Sequence, residues 1–335
     1  MRGGGKLTLM AIKLIHKYEH IISLENLLEA WKEFLNGKRA RKDVQIFERN
    51  LMGNIIALHQ DLVTKTYNHS PYQAFNISDP KPRNIHKASV RDRLLHHALY
   101  RKLCPFFDKT FINDSYSCRL NKGTHKAINR FRQFAYMESK NHTKTTWVLK
   151  CDIRKFFGSI DHSVLKEIIK SHIPDENIRW LLGRIIDSFQ PIRKGMGLPL
   201  GNLTSQLLVN IYMNEFDHFV KRELKAKYYI RYADDFVILS TDKRKLEEML
   251  LSIESFLRDR LKLELHPDKV FIKSFGSGVD FLGWIHYSNH RVVRTVTKRR
   301  ALRNLQVRNG NIETVQSYLG LFKHGNSKKL IKRIE

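Results

Sequence analysis

The segment Tyr228-Tyr-Ile-Arg-Tyr-Ala-Asp-Asp-Phe-Val-Ile-Leu-Ser240 constrains the fold most. Two runs of aromatic and aliphatic residues flank Ala233-Asp234-Asp235, which predicts a β-hairpin with carboxylates at its tip. A second strand-like run, 145–153, carries an acid, Asp152, one residue before its end. Its alternation puts Trp147, Leu149 and Cys151 on one face and Val148, Lys150 and Asp152 on the other. Carboxylates converging from neighbouring strands suit hard divalent cations, because Mg²⁺ takes one or two carboxylates and fills its shell from substrate phosphates. Two such ions ~3.5–4 Å apart can activate an attacking 3′-hydroxyl and stabilise departing pyrophosphate. Asp-Asp pairs also occur in turns because Asp tolerates turn geometry, so spacing alone leaves both readings open.

The rest of the chain supplies helices around these strands. Residues 10–70 read as helical. Ser23 is placed to cap a helix starting at Leu24, with Glu25 in its first turn. A second helix is expected from Val44 to Thr64, burying Ile46, Leu51, Ile55, Ile56, Leu58 and Leu62. Pro71, Pro80 and Pro82 break the chain into extended pieces. Asp161 is expected to cap one helix and Asn202 a longer one. Amphipathic helix follows over 245–261, short strands near 270–273 and 280–286, and helical spacing again at 298–305 and 315–322. No internal repeat interrupts this order. Strands alternating with hairpins and helices predict an α+β fold rather than a doubly wound sheet.

Charge selects the partner. The 335 residues carry 60 Lys+Arg against 33 Asp+Glu, a net charge of +27 that an acidic partner must offset. Nucleic acid and an anionic membrane are the nominees. The membrane is disfavoured: no run approaches ~20 apolar residues, and no helix pairs an apolar face with an exclusively basic one. Residues 81–132 hold thirteen Lys/Arg and three Asp, interleaved with Phe106, Phe107, Phe111 and Tyr116. Such a run is either a solvated face or a phosphate-tracking surface. Three cysteines without a C-x-x-C pair form neither a disulfide framework nor a zinc site, which predicts reduced thiols and a cytoplasmic location.

Several motifs then coincide. Tyr232-Ala-Asp-Asp235 in a hairpin resembles the central motif of reverse transcriptases. Asp152-Ile-Arg-Lys-Phe-Phe-Gly-Ser-Ile-Asp-His162 resembles that family's first metal-binding strand. Gly197-Leu-Pro-Leu-Gly-Asn-Leu-Thr-Ser-Gln206 resembles its template-and-nucleotide loop, Leu265-His-Pro-Asp-Lys269 its pyrophosphate-proximal lysine motif, and Phe281-Leu-Gly-Trp284 its primer grip. The resemblance implies that Asp152 and Asp234, with Asp235 in support and the backbone of Ile153, hold two Mg²⁺ ions, Mn²⁺ being the other cation such ligands take. It implies that Phe157 stacks under the sugar as a steric gate and that Lys269 neutralises or protonates pyrophosphate. Leu200, Gly201 and Gln206 would contact the incoming dNTP; Arg91, Lys81 and Arg83 would clamp its triphosphate. Arg119, Lys122 and the Phe281, Leu282, Gly283, Trp284 turn would contact template and primer. For Arg91, Lys81, Arg83 and Arg119 a structural ion pair is the competing reading.

Most reverse transcriptases carry Gln-Gly-x-x-x-Ser-Pro in the loop. Here Leu200 precedes Gly201 and Gln206 follows Ser205, a pattern that resembles the enzymes of diversity-generating retroelements, relatives of group II intron reverse transcriptases. Lys81-Pro-Arg, Arg91-Asp-Arg-Leu-Leu-His-His97 and Ser317-Tyr-Leu-Gly-Leu-Phe-Lys-His324 share that resemblance. It implies copying of a template-repeat RNA into cDNA with errors at adenines, and a small basic helical accessory protein as partner. It also implies fingers over 10–145, a palm over 146–288 and a basic helical thumb over 289–335. Residues 1–9 would be a disordered leader, with Met10 an alternative start. No RNase H, endonuclease or integrase domain is expected after the thumb. The thumb's twelve Lys/Arg against two Glu suit the backbone of an RNA–DNA hybrid. The competing functions are a phage-defence or group II intron-like reverse transcriptase and, from another class, a catalytically silent RNA-binding scaffold.

Overall fold

The computed structural model describes residues 13–78, 82–189, 194–307 and 311–332. The chain divides into two compact units, one of Met1–Ile112, Arg154–Asp217 and Phe256–Leu263, the other of Asn113–Ile153, His218–Ser255 and Glu264–Glu335.

The first unit is mainly helical. Leu24–Phe34 forms because Ser23 accepts the Asn26 N–H at 3.2 Å, and because Leu27, Ala30, Trp31 and Phe34 repeat at helical spacing and are all buried. Such a cap stabilises a helix by ~1 kcal/mol. The stripe meets the helix Val90–Asp108, where the Asn26 amide donates to the Ala98 carbonyl at 3.1 Å. The single helix expected from Val44 to Thr64 is instead two, Lys42–Glu48 and Leu51–Val63. Asn50, at φ −124° and ψ 48°, breaks the backbone between them. The break restarts the helical phase. Ile55, Leu58 and Leu62 are fully buried, whereas Ile46 and Ile56 are exposed. Asp161 caps His162–His172 as expected, accepting from Val164 N–H. A long helix, Leu203–His218, is buried on nearly all sides, and a short hairpin pairs β1 (Gln73–Ile77) with β2 (Arg83–Lys87).

The second unit is built on a four-stranded antiparallel sheet. Its strands are β3 (Trp147–Asp152), β4 (Tyr228–Tyr232), β5 (Asp235–Ser240) and β6 (Phe271–Ser274), in the order β4-β5-β3-β6. Trp147 pairs with Ser240 and Asp152 with Asp235, so one register fixes the whole face. Val148, Ile230, Val237 and Leu239 of that face pack with Phe131 and Phe134 of the helix Thr124–Glu138. By the same alternation Lys150, Asp152 and Asp235 continue this face to the sheet's end. A smaller meander follows, of β7 (Val279–Phe281), β8 (Trp284–His286) and β9 (Arg291–Val293), and then the helices Thr295–Val307, Ile312–Phe322 and Lys328–Ile331.

Gly325 packs against the Trp284 ring so closely that a Cβ at 325 would overlap the indole. Trp284 is core-buried and cannot swing aside without displacing Phe281 and its neighbours. Gly325→Ala should therefore destabilise the second unit by ~1–3 kcal/mol, the usual range for overpacking. The urea midpoint followed by tryptophan fluorescence measures it. Among the described residues no helix is long and apolar enough to cross a membrane.

Candidate active site

The β4–β5 turn contains only Ala233 and Asp234, since Tyr232 pairs with Asp235. Ala233 sits at φ +57°, a left-handed conformation that costs a residue with a Cβ ~1–2 kcal/mol. Arg231 offsets part of that cost. It is fully buried and donates to the Ala233 carbonyl at 3.1 Å and to Ser115 Oγ at 3.1 Å. Its own backbone pairs with Asp114 and Tyr116, which fastens β4 to that segment.

Two further contacts tie Asp152 to its neighbours. The N–H of Ile153 donates to the Asp234 carbonyl at 3.1 Å, so the end of β3 is bonded to the hairpin tip. The Asp152 carbonyl accepts from His266 N–H at 2.7 Å, which anchors the 265–269 turn to the same strand end. That anchoring places Lys269 Nζ 2.9 Å from Asp152 Oδ1. Lys150 Nζ lies 2.9 Å from Asp235 Oδ1 and forms an ion pair with it. Burial pushes the Asp235 carboxyl up to about 6. Lys150 opposes that shift, and Asp152 and Asp234 reinforce it.

The donor set is oxygen throughout, with two carboxylates facing each other across a strand pair and a third beside them. Among the described residues no group of three or more His, Cys, Asp or Glu is gathered to hold a metal by itself. Oxygen donors of this kind would suit Mg²⁺, which takes one or two carboxylates and completes its shell with water and substrate phosphates.

The first unit holds the loop residues. The Leu200 carbonyl accepts from His86 N–H at 3.1 Å, and the Asn202 amide donates to the His86 carbonyl at 2.8 Å. Both backbone groups of His86 are thus satisfied by the loop, which clamps β2 to Leu200. Asn202 was expected to cap the following helix with its side chain. Instead its amide is turned toward β2 and its buried Oδ1 is unpartnered. Gly201 lies at φ +101°, and a Cβ there would stand 2.9 Å from Ile85 Cγ2. Gly201→Ala is expected to lower stability by roughly 1–3 kcal/mol, from the left-handed backbone and the clash together, read as a lowered thermal midpoint. Gln206 is half-buried in the first turn of the helix. Phe156 is core, as expected. Phe157 is half-buried beside it, and its carbonyl accepts from Leu198 N–H at 2.8 Å.

Several expected contacts are rearranged. Arg91 pairs with Asp61 at 2.5 Å and lies over the Tyr67 ring. Arg83 is exposed at the start of β2, and Lys81 lies outside the described residues. Arg119 donates to the Ser115 carbonyl, and Lys122 to both oxygens of Asn113. The side chains of Phe281 and Trp284 face the core, which removes them from primer contact. Only the turn between them, Leu282 at φ +51° and Gly283 at φ +87°, stays available. Sequence reasoning missed the partners Lys150 and Arg231. The first was signalled by its place two residues before Asp152 on the same face. The second was signalled by a lone charge inside a buried strand.

Residues 77–286 match the family described as reverse transcriptase (RNA-dependent DNA polymerase). That span is more than half of the chain, and the chain belongs to the reverse transcriptase family. Its organisation is the α+β right-hand polymerase fold, its activity is RNA-directed DNA polymerisation, and the family works with divalent metal ions on template, primer and dNTPs. It is similar to protein YkfC of Escherichia coli (strain K12), 27% identical over 290 residues, covering 73% of this chain and 75% of that protein. It is also similar to the group II intron-encoded protein LtrA of Lactococcus lactis subsp. cremoris, 23% identical over 325 residues, covering 76% of this chain and 52% of LtrA. The putative COX1/OXI3 intron 2 protein of Saccharomyces cerevisiae is 23% identical over 292 residues, with 68% of this chain and 33% of that protein covered. The chain thus spans about half or less of these two intron-encoded relatives.

Proposed function

We propose that this reverse transcriptase is of the diversity-generating type, copying a template-repeat RNA into cDNA with errors opposite adenine. The observation that carries the reading is Leu200 before Gly201 together with Gln206 after Ser205. Glutamine at 200 offers hydrogen bonds that penalise a misplaced base. Leucine offers shape alone, and shape discriminates by only ~1–3 kcal/mol. The clamp of His86 and Asn202 on the same loop holds Leu200 in place, so its shape acts from a fixed position.

In this reading Asp152 and Asp234 are the metal ligands, with Asp235 and the Ile153 backbone in support. Two bound divalent cations supply activation of the 3′-hydroxyl and neutralisation of the leaving pyrophosphate. Lys269, held at Asp152, supplies positive charge where pyrophosphate leaves. Lys150 balances the buried charge of Asp235. Phe157 excludes a 2′-hydroxyl, Arg83 and Lys81 meet the triphosphate, and Arg119, Lys122 and the Leu282–Gly283 turn meet template and primer. A small basic helical protein is the proposed partner. The group II intron-like reading is the second, favoured by the likeness to LtrA.

Sequencing cDNA made on a defined RNA separates the two. The diversity-generating reading predicts errors concentrated opposite template adenines, reduced roughly tenfold by Leu200→Gln, the factor that ~1.4 kcal/mol of discrimination corresponds to. An even spread of errors favours the intron-like reading. An unchanged spectrum in Leu200→Gln removes that residue from the explanation.

A further inference from the structure

The second unit contains a cavity of about 260 Å³ at the end of β3 remote from Asp152. Its walls are residues 139 and 142–146, the 274–276 turn after β6, and Ser288. From Thr146 to Asp152 the strand advances roughly 20 Å, so the cavity is separate from the carboxylate cluster. Thr146 is 4% exposed, and its hydroxyl has no hydrogen-bond partner. A buried hydroxyl without a protein partner is costly until water or a ligand supplies one.

The remaining chemistry has one sign. Lys144 and His142 line the cavity, Thr145, Ser274 and Ser288 add hydroxyls, and among the described residues no carboxylate is in its walls. The chain reaches this arrangement through strained backbone. Lys140, Asn141 and His142 are consecutive left-handed residues, at φ 49°, 58° and 64°, none of them glycine. Ser139 holds the turn by accepting His142 N–H on its hydroxyl at 2.9 Å and Lys144 N–H on its carbonyl at 2.9 Å. Strain of this kind persists where the surroundings impose it, and it gathers at ligand sites.

We propose that this cavity binds a phosphate ester the size of one nucleotide. Hydroxyl donors and an ammonium group complement phosphate oxygens, and the missing carboxylates leave nothing to repel them. The volume is close to the lower limit of small-molecule sites, ~300 Å³, which admits one nucleotide and not a duplex. The phosphate comes either from a free nucleotide or from single-stranded RNA threaded away from the polymerising end. The site does not depend on the subtype of the enzyme.

Calorimetric titration of the full chain with inorganic phosphate, AMP and a short single-stranded RNA, without divalent metal and at matched ionic strength, tests it. Thr146→Val and Lys144→Ala should each weaken phosphate and AMP binding about tenfold while leaving primer extension unchanged, whereas Asp234→Asn should bind both as wild type. AMP binding that both cavity variants weaken, with RNA binding unchanged in them, identifies a free nucleotide as the ligand; RNA binding weakened by both variants identifies the backbone. Binding that is absent, or equal in wild type and both cavity variants, overturns the proposal.

Discussion

Asp234→Asn is expected to lower RNA-templated primer extension by about a thousandfold or more, because one formal charge leaves the group proposed to hold cations against the substrate phosphates. Asn keeps the shape of Asp. The contact that locks Asp234 to β3 runs from Ile153 N–H to its backbone carbonyl, which the substitution leaves in place. The Arg231 brace likewise reaches the Ala233 carbonyl and not the Asp234 side chain. Both backbone braces survive the substitution, so the variant should keep its fold. Primer extension and a urea melt on the same preparation read both quantities. Loss of activity with loss of fold would point to a structural carboxylate, and retained activity would remove Asp234 from the chemistry.

Acid should destabilise both units well before carboxylates protonate. His96 in the first unit and His286 in the second are fully buried, and burial pushes each down to about 3, neighbouring positive charges adding to the effect. A hydrogen bond with the Phe281 backbone opposes the shift at His286, and Asp92 opposes it at His96, without reversing either. Unfolded histidine titrates near ~6.5, so between that pH and about 3 the unfolded chain binds protons that the folded chain refuses. The stability these neutral rings contribute is complete above pH ~6.5 and fades as pH falls toward their folded values. At ~1.4 kcal/mol per pH unit for each ring, lowering the pH to ~5 costs about 2 kcal/mol at each site. Urea midpoints at pH 7 and 5 measure the sum, and His286→Leu should flatten the dependence in the second unit. A midpoint unchanged across that interval would show that both rings accept protons in place.

Features set by local pattern were legible before any coordinates. The hairpin carrying Asp234 follows from β-rich runs flanking a turn, and the Ser23 and Asp161 caps follow from residue type and position. The common face of Lys150 and Asp152 follows from alternation. Features decided by distant contacts were not legible. Val44 to Thr64 reads as one helix with Ile46 and Ile56 in its buried stripe, yet Asn50 breaks it, and Ile46 and Ile56 are exposed while Ile55, Leu58 and Leu62 are buried. Arg91 has the chemistry of a phosphate clamp, but Asp61 is thirty residues away in sequence and close in space. Phe281 and Trp284 sit in a motif that suggests substrate contact, while the meander's register sends both rings into the core. Asn202 has the residue type of a cap, and only the approach of β2 shows why its amide is spent on His86.

The most direct test is a single-nucleotide extension under single-turnover conditions, on a DNA primer annealed to RNA, with Mg²⁺ present and wild type beside Asp152→Asn. The carboxylate cluster predicts one added nucleotide for wild type and a rate lower by about a thousandfold for Asp152→Asn, with primer–template binding unchanged. Extension by Asp152→Asn at the wild-type rate would contradict it.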